Sequence, residues 1–283
     1  MILIDKEHSI KALFLCFFLC SLFSSRNVLA QGDLMIYPKR IVFDNTRKSQ
    51  ELSLSNNGTD TARYVVSVMQ VRMNEDGSFE AITTPDSTQQ FADQHFRFFP
   101  RSVVLAPKEA QTVKIQLLRA NELTPGEYRS HIYFRSEAKA NPLGEQEKTT
   151  AESSISVSIV PVFGISIPVI IKVGASSTQT SIKEAIFHLN TVAMPVLDFK
   201  ITRTGNMSVY GDILVKHLSP AGKETTVGML KGVAIYSPTA LRQFKIALDA
   251  SQKAIYNSGK LRITYSAQSS KPLTFAEAEV ILK

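Results

Sequence analysis

Beyond Cys20 the chain contains no cysteine, and it contains no tryptophan anywhere; Cys16 and Cys20 both fall within an apolar run near the N terminus. Whatever folds after that run does so without disulfides and without a thiolate-ligated metal. No Walker A loop, dinucleotide-binding glycine pattern or EF-hand loop is present, so the motif-based nucleotide and calcium readings fall away. The later histidines, His95, His131, His188 and His217, stand singly, far from the short spacings of zinc sites. Gly164-Ile165-Ser166-Ile167-Pro168 has the opening Gly and the Ser of a nucleophile elbow, but the second Gly and the strand-to-helix setting are missing. Ser166 therefore reads as a strand residue, and the expectation is a non-enzyme with no cofactor and no metal.

Helix-length amphipathic segments and blocks of like charge are also lacking. The 32 Lys and Arg against 25 Asp and Glu give a formal charge of +7, but these residues are scattered. A dispersed basic excess reads as ordinary solvated charge, and no nucleic-acid partner is expected.

Lys6 and Lys11 precede Ala12 to Phe23, which is apolar except for Ser21, and Val28-Leu29-Ala30 follows. That order of basic, apolar and small residues predicts a secretory signal peptide over 1–30. Its apolar run is shorter than the ~20 residues a membrane-spanning helix needs, and nothing later is comparably apolar. An exported chain with no integral membrane segment after processing is expected.

From residue 31 onward nearly every segment alternates with period two, and turn chemistry separates the segments. Asp76-Gly77 stands between Tyr64 to Met73 and Ser78 to Ile82 as a hairpin signal. Pro125-Gly126 suits a turn leading into Glu127 to Ser136. Val103 and Leu105 alternate, Pro107-Lys108 turns the chain, and Val113, Ile115 and Leu117 alternate again. Such runs number about seven on either side of the Gly/Ser/Thr-rich stretch Gly174 to Ser181, as two immunoglobulin-like sandwiches require. The predicted fold class is all-β, two immunoglobulin-like sandwich domains in tandem, with boundaries 31–173 and 174–283.

One segment is too long for that scheme. In Ser154 to Val173 every odd position from Ile155 is apolar, through Val157, Ile159, Pro161, Phe163, Ile165, Ile167, Val169 and Ile171 to Val173, and a polar stretch, Ala138 to Ser153, precedes it. Alternation of this length exceeds the usual five or six residues of a globular strand. Part of it is expected to project past its own sheet, an aggregation hazard unless the edge has a purpose. Nearest the boundary, Ile165, Ile167, Val169 and Ile171 read as core. Ile155, Val157, Ile159 and Phe163 read as available to another molecule.

Several stretches together resemble the periplasmic chaperones of the chaperone-usher pilus assembly pathway. They are Lys39-Arg40-Ile41-Val42-Phe43, Leu54-Ser55-Asn56-Asn57-Gly58, Pro100 to Ile115 (PRSVVLAPKEAQTVKI), Pro125 to His131 (PGEYRSH) and the long strand, in family order over the whole chain after residue 30. The resemblance implies two immunoglobulin-like domains that bind pilus subunits lacking a final strand, by donor-strand complementation, and deliver them to an outer-membrane usher. It implies a periplasmic location, and it implies that Arg40 anchors the client's C-terminal carboxylate while Ile155, Val157, Ile159 and Phe163 fill the client's groove.

Two positions depart from the family pattern. Counting back from Pro168, a second anchoring lysine falls near Phe163, where there is none; Lys172 is the nearest. Arg129 stands where an acidic residue is expected, so a charge cluster between the domains has to be rebuilt, with Glu127 and Lys172 as candidates. A structural or adhesive immunoglobulin-like surface protein without chaperone activity is the alternative, its long strand being a permanent part of its own core.

Overall fold

The computed structural model describes residues 34–44, 47–137, 162–252, 256–269 and 273–282. Strands account for nearly all regular structure among them; the only helical turns are single 3-10 turns. The stretches assigned to the signal peptide, to the polar loop and to Ile155, Val157 and Ile159 lie outside the described residues.

Eleven strands form the first part: β1 (Leu34–Tyr37), β2 (Ile41–Phe43), β3 (Ser49–Asn56), β4 (Ala62–Met69), β5 (Val71–Met73), β6 (Phe79–Ala81), β7 (Phe96–Phe99), β8 (Ser102–Leu105), β9 (Ala110–Leu117), β10 (Gly126–Ser136) and β11 (Gly164–Val173). They build a four-stranded sheet in the order β1-β3-β9-β7, a five-stranded sheet in the order β2-β11-β10-β4-β8, and the β5-β6 hairpin. Period-two alternation sends Leu52, Leu54, Val113 and Ile115 from one sheet, and Phe43, Val66, Ile132, Phe134 and Val169 from the other, into a shared core. Serine, threonine and charged residues take the outer faces, as expected for antiparallel layers wet on one side.

Seven strands follow: β12 (Gln179–Leu189), β13 (Pro195–Thr204), β14 (Val209–Leu218), β15 (Glu224–Ile235), β16 (Leu241–Ala247), β17 (Lys260–Ala267) and β18 (Thr274–Ile281). Their sheets run β12-β13-β16 and β15-β14-β17-β18 and enclose a second core around Leu197, Ile201, Ile213, Val215, Ile263 and Tyr265. The chain is thus all-β, with two immunoglobulin-like sandwiches in tandem. Each contributes its own apolar centre, and β11 ends at Val173, just before the turn that enters the second.

The β5-β6 hairpin, with Gly77 at φ +88° in its turn, leaves the first sandwich and lies on the second. Gln243 donates its backbone N–H to the Glu75 carbonyl at 2.7 Å, and the Thr239 hydroxyl donates to the Met73 carbonyl at 2.6 Å. Between the sandwiches a small apolar cluster of Met73, Ile170, Ala234 and Tyr236 closes the joint.

Candidate functional site

β11 is paired with β10 along its whole length, from Gly164 opposite Arg135 to Val173 opposite Gly126. On its other side it meets β2 only at Val169, Ile170 and Ile171, in parallel. Among the described residues no strand pairs with Gly164–Pro168 on that side. Among the described residues the backbone groups there form a free edge, and the sequence 155–163 leads directly into it.

Side chains along β11 divide by parity. Ile167, Val169 and Ile171 lie in the first core and Ile165 packs against it, as the sequence reading expected. Ile170, on the opposite face, is buried in the joint with the second sandwich. At the start of the segment Phe163 is 43% exposed, outside the core cluster. Its carbonyl accepts from the Ser136 backbone N–H at 2.8 Å, which extends the β10 ladder past Gly164. Gly164 makes room for the Tyr133 ring end: a Cβ there would lie 2.1 Å from the Tyr133 hydroxyl, so a larger residue would have to displace that side chain.

Arg40 immediately precedes β2, level with Pro168, at the point where β2 stops covering β11. Its guanidinium carbon sits 3.9 Å from the ring centroid of Tyr210, on β14 of the second sandwich. Both Nε and Nη1 of Arg40 are buried, with no hydrogen-bond acceptor among the described residues. A buried donor left unsatisfied costs about 1–3 kcal/mol, and more when it is charged, so it calls for an explanation.

Around Arg40 the joint is rich in cations. Lys172 lies near enough that the Arg40 charge, together with burial as the larger cause, lowers its pKa, while Glu127 and Asp44 act in the opposite direction. The family's second lysine falls near Phe163, where this chain has none; in the fold Lys172 stands on β11 opposite Glu127, four residues beyond Pro168, which is level with Arg40. Arg129 is 3% exposed, lies over the Tyr236 ring at 4.5 Å and donates from Nη2 to the Ser237 carbonyl at 3.1 Å, while its Nε and Nη1 are buried with no acceptor among the described residues. Burial lowers its pKa, against the stabilising charge of Glu127.

Among the described residues the one carboxylate buried with these cations, Glu127, is clasped by Ser208. It accepts the Ser208 backbone N–H at 2.8 Å on one oxygen and the Ser208 hydroxyl on the other, and Lys172 Nζ donates to the Ser208 carbonyl at 3.4 Å. The rebuilding of the interdomain charge cluster through Glu127 and Lys172 is present in this form. Sequence reasoning missed Ser208, Tyr210 and Tyr236. Ser208 lies in Asn206-Met207-Ser208, a triplet with the glycosylation-acceptor pattern that reads as a turn, and a tyrosine in or beside an alternating strand reads as sheet surface. His131 is on a strand as expected, but it is buried beside Phe79 and Tyr236, at 5.8 and 6.5 Å between ring centroids. Burial, with the Arg129 charge, pulls its pKa down to about 3. Among the described residues no group of three or more His, Cys, Asp or Glu is placed to hold a metal ion. No helix among them is long and apolar enough to cross a membrane.

No family model and no curated protein matches the chain. Solved structures that resemble it include the YadV chaperone, at TM-score 0.43 and 13% identity, covering 89% of this chain and 100% of that one. The Pseudomonas aeruginosa CupB2 chaperone resembles it at TM-score 0.41 and 11% identity, covering 88% and 100%. A chain from the Salmonella enterica SafA pilin in complex with the SafB chaperone does so at TM-score 0.40 and 13% identity, covering 88% and 96%. The two-sandwich assignment rests on the strand order and the paired cores described above.

Proposed function

We propose that the chain is a periplasmic assembly chaperone of the chaperone-usher type. It lends Ile155 to Phe163 to a pilus subunit that lacks its final strand, and Arg40 holds that subunit's terminal carboxylate. One observation carries the reading: the buried, acceptor-free Nε and Nη1 of Arg40 stand where the free edge of β11 begins. A strand added to that edge satisfies its backbone groups, and alternate side chains enter the partner's groove. If its C terminus lies at Arg40, the added strand runs parallel to β11, end to end with β2, which already pairs with β11 in that direction.

Magnitudes support the assignment. Ile155, Val157, Ile159 and Phe163, each contributing about 1.5–3 kcal/mol on burial, supply a gross ~6–12 kcal/mol before ordering costs. No nucleotide is needed to hold a client at that level. A guanidinium suits a carboxylate by its flat, two-pronged donor geometry, better than an ammonium does. The export signal read in residues 1–30 and the family motifs support the periplasmic location and delivery to an outer-membrane usher.

Co-expression with a pilin-like subunit that aggregates alone tests the reading. Wild-type chain should recover it as a one-to-one complex, and Arg40→Ala should reduce recovery at least tenfold while the melting temperature of the free chain stays within a few degrees. Equal recovery with Arg40→Ala removes the anchor. Copolymerisation in place of a one-to-one complex would identify a structural surface protein.

A further inference from the structure

Arg40 belongs to the first sandwich, but the ring beneath it belongs to the second. Tyr210 on β14 pairs with Ala234 on β15, and its ring packs against the joint cluster of Met73, Ile170, Ala234 and Tyr236. Its hydroxyl end rests over Gly232, whose φ is +70° and where a Cβ would stand 3.0 Å from that hydroxyl. Strand pairing, the joint cluster and the cleared space at Gly232 therefore fix the ring independently of Arg40.

The guanidinium lies 3.9 Å from the ring centroid. A guanidinium stacked this way gives one flat face to the ring and directs its N–H groups sideways. Stacking thus leaves the donors free for an acceptor while removing the rotations of a long side chain.

We propose that Tyr210 is the positioning residue for Arg40, so that the receptor for a terminal carboxylate is completed only when the second sandwich is docked on the first. This rests on the carboxylate reading of Arg40 given above. It makes the second sandwich part of the binding machinery, and not merely a support for the first.

The test uses the full chain after residue 30, labelled with nitrogen-15, with acetate as the carboxylate probe and Arg40→Lys to assign the Arg40 Nε–H signal. In wild type and Tyr210→Phe that proton should be shifted upfield by the ring and should respond to acetate. Tyr210→Leu, or Tyr210→Met if the leucine variant does not fold, should lose the upfield shift and require about three- to thirty-fold more acetate for the same response. A wild-type acetate response that both aliphatic variants leave unchanged overturns the positioning role alone. No acetate response in the wild type overturns the carboxylate reading itself, while the upfield shift still reports the stacking.

Discussion

Glu127 and Lys172 are direct cross-strand partners on β10 and β11, and both hydrogen-bond the same residue of the second sandwich, Ser208. One carboxylate thus serves both the sheet of the first sandwich and its docking on the second. The arrangement replaces a conventional ion pair across the joint with a backbone-and-hydroxyl clasp, and it leaves Arg129 to stack on Tyr236.

Removing the clasp should rank two variants. Glu127→Ala removes the carboxylate that offsets buried Arg129 and half-buried Lys172 and should cost about 3–5 kcal/mol. Ser208→Ala keeps the backbone N–H and should cost about 1–2 kcal/mol. Urea unfolding of the two variants measures the difference, and a reversed order refutes the account.

Acid should weaken the fold through His131. Its folded pKa, about 3, lies below the ordinary value of 6.5, so between those limits the unfolded chain binds a proton that the folded chain does not. Stability therefore falls as pH falls from about 6.5 toward 3, by up to about 1.4 kcal/mol per pH unit for this one proton. His131→Phe removes that contribution. Urea midpoints for both proteins at pH 7, 6, 5 and 4 should diverge progressively, and parallel curves would show that His131 is not held neutral.

Two glycines should respond differently to alanine. At Gly211 a Cβ would lie 2.0 Å from the Ser266 carbonyl oxygen, which is backbone of the paired strand β17. Gly211→Ala must part β14 from β17 and should cost about 3 kcal/mol or more. Gly222 has φ +80° and open space around it, so Gly222→Ala should cost only the left-handed strain, about 1–2 kcal/mol. Thermal unfolding distinguishes the two.

Charge placed in the lent segment should abolish partner binding without harming the free chain. Val157→Asp combined with Ile159→Asp is expected to leave the melting temperature within a few degrees while complex recovery is lost. Unfolding of the free double variant would instead assign those side chains to the protein's own core.

Alternation alone made most of the fold legible. Leu52, Leu54, Val113 and Ile115 reached the core for the reason visible in the chain, one apolar face per strand. The core role of Ile165, Ile167, Val169 and Ile171 was readable in the same way. What alternation cannot show is the second face of a strand that is buried by another domain. Ile170 and His131 sit on that face, and nothing in their local pattern distinguishes a residue pressed against a second sandwich from one facing water. The place of Lys172 near Arg40 was hidden for a related reason: it depends on which strand lies beside β11, and counting along one strand gives no information about its neighbour. Tyr210 and Ser208 needed the docking geometry as well as the register.

β11 carries an uncovered edge at Gly164 and, six residues on, a side chain wedged in the joint at Ile170. A load applied along the axis of β11 would meet the ten-residue ladder to β10 in shear, with its bonds strained together and not peeled singly. One strand thus joins the exposed rim of the first sandwich to the seam with the second.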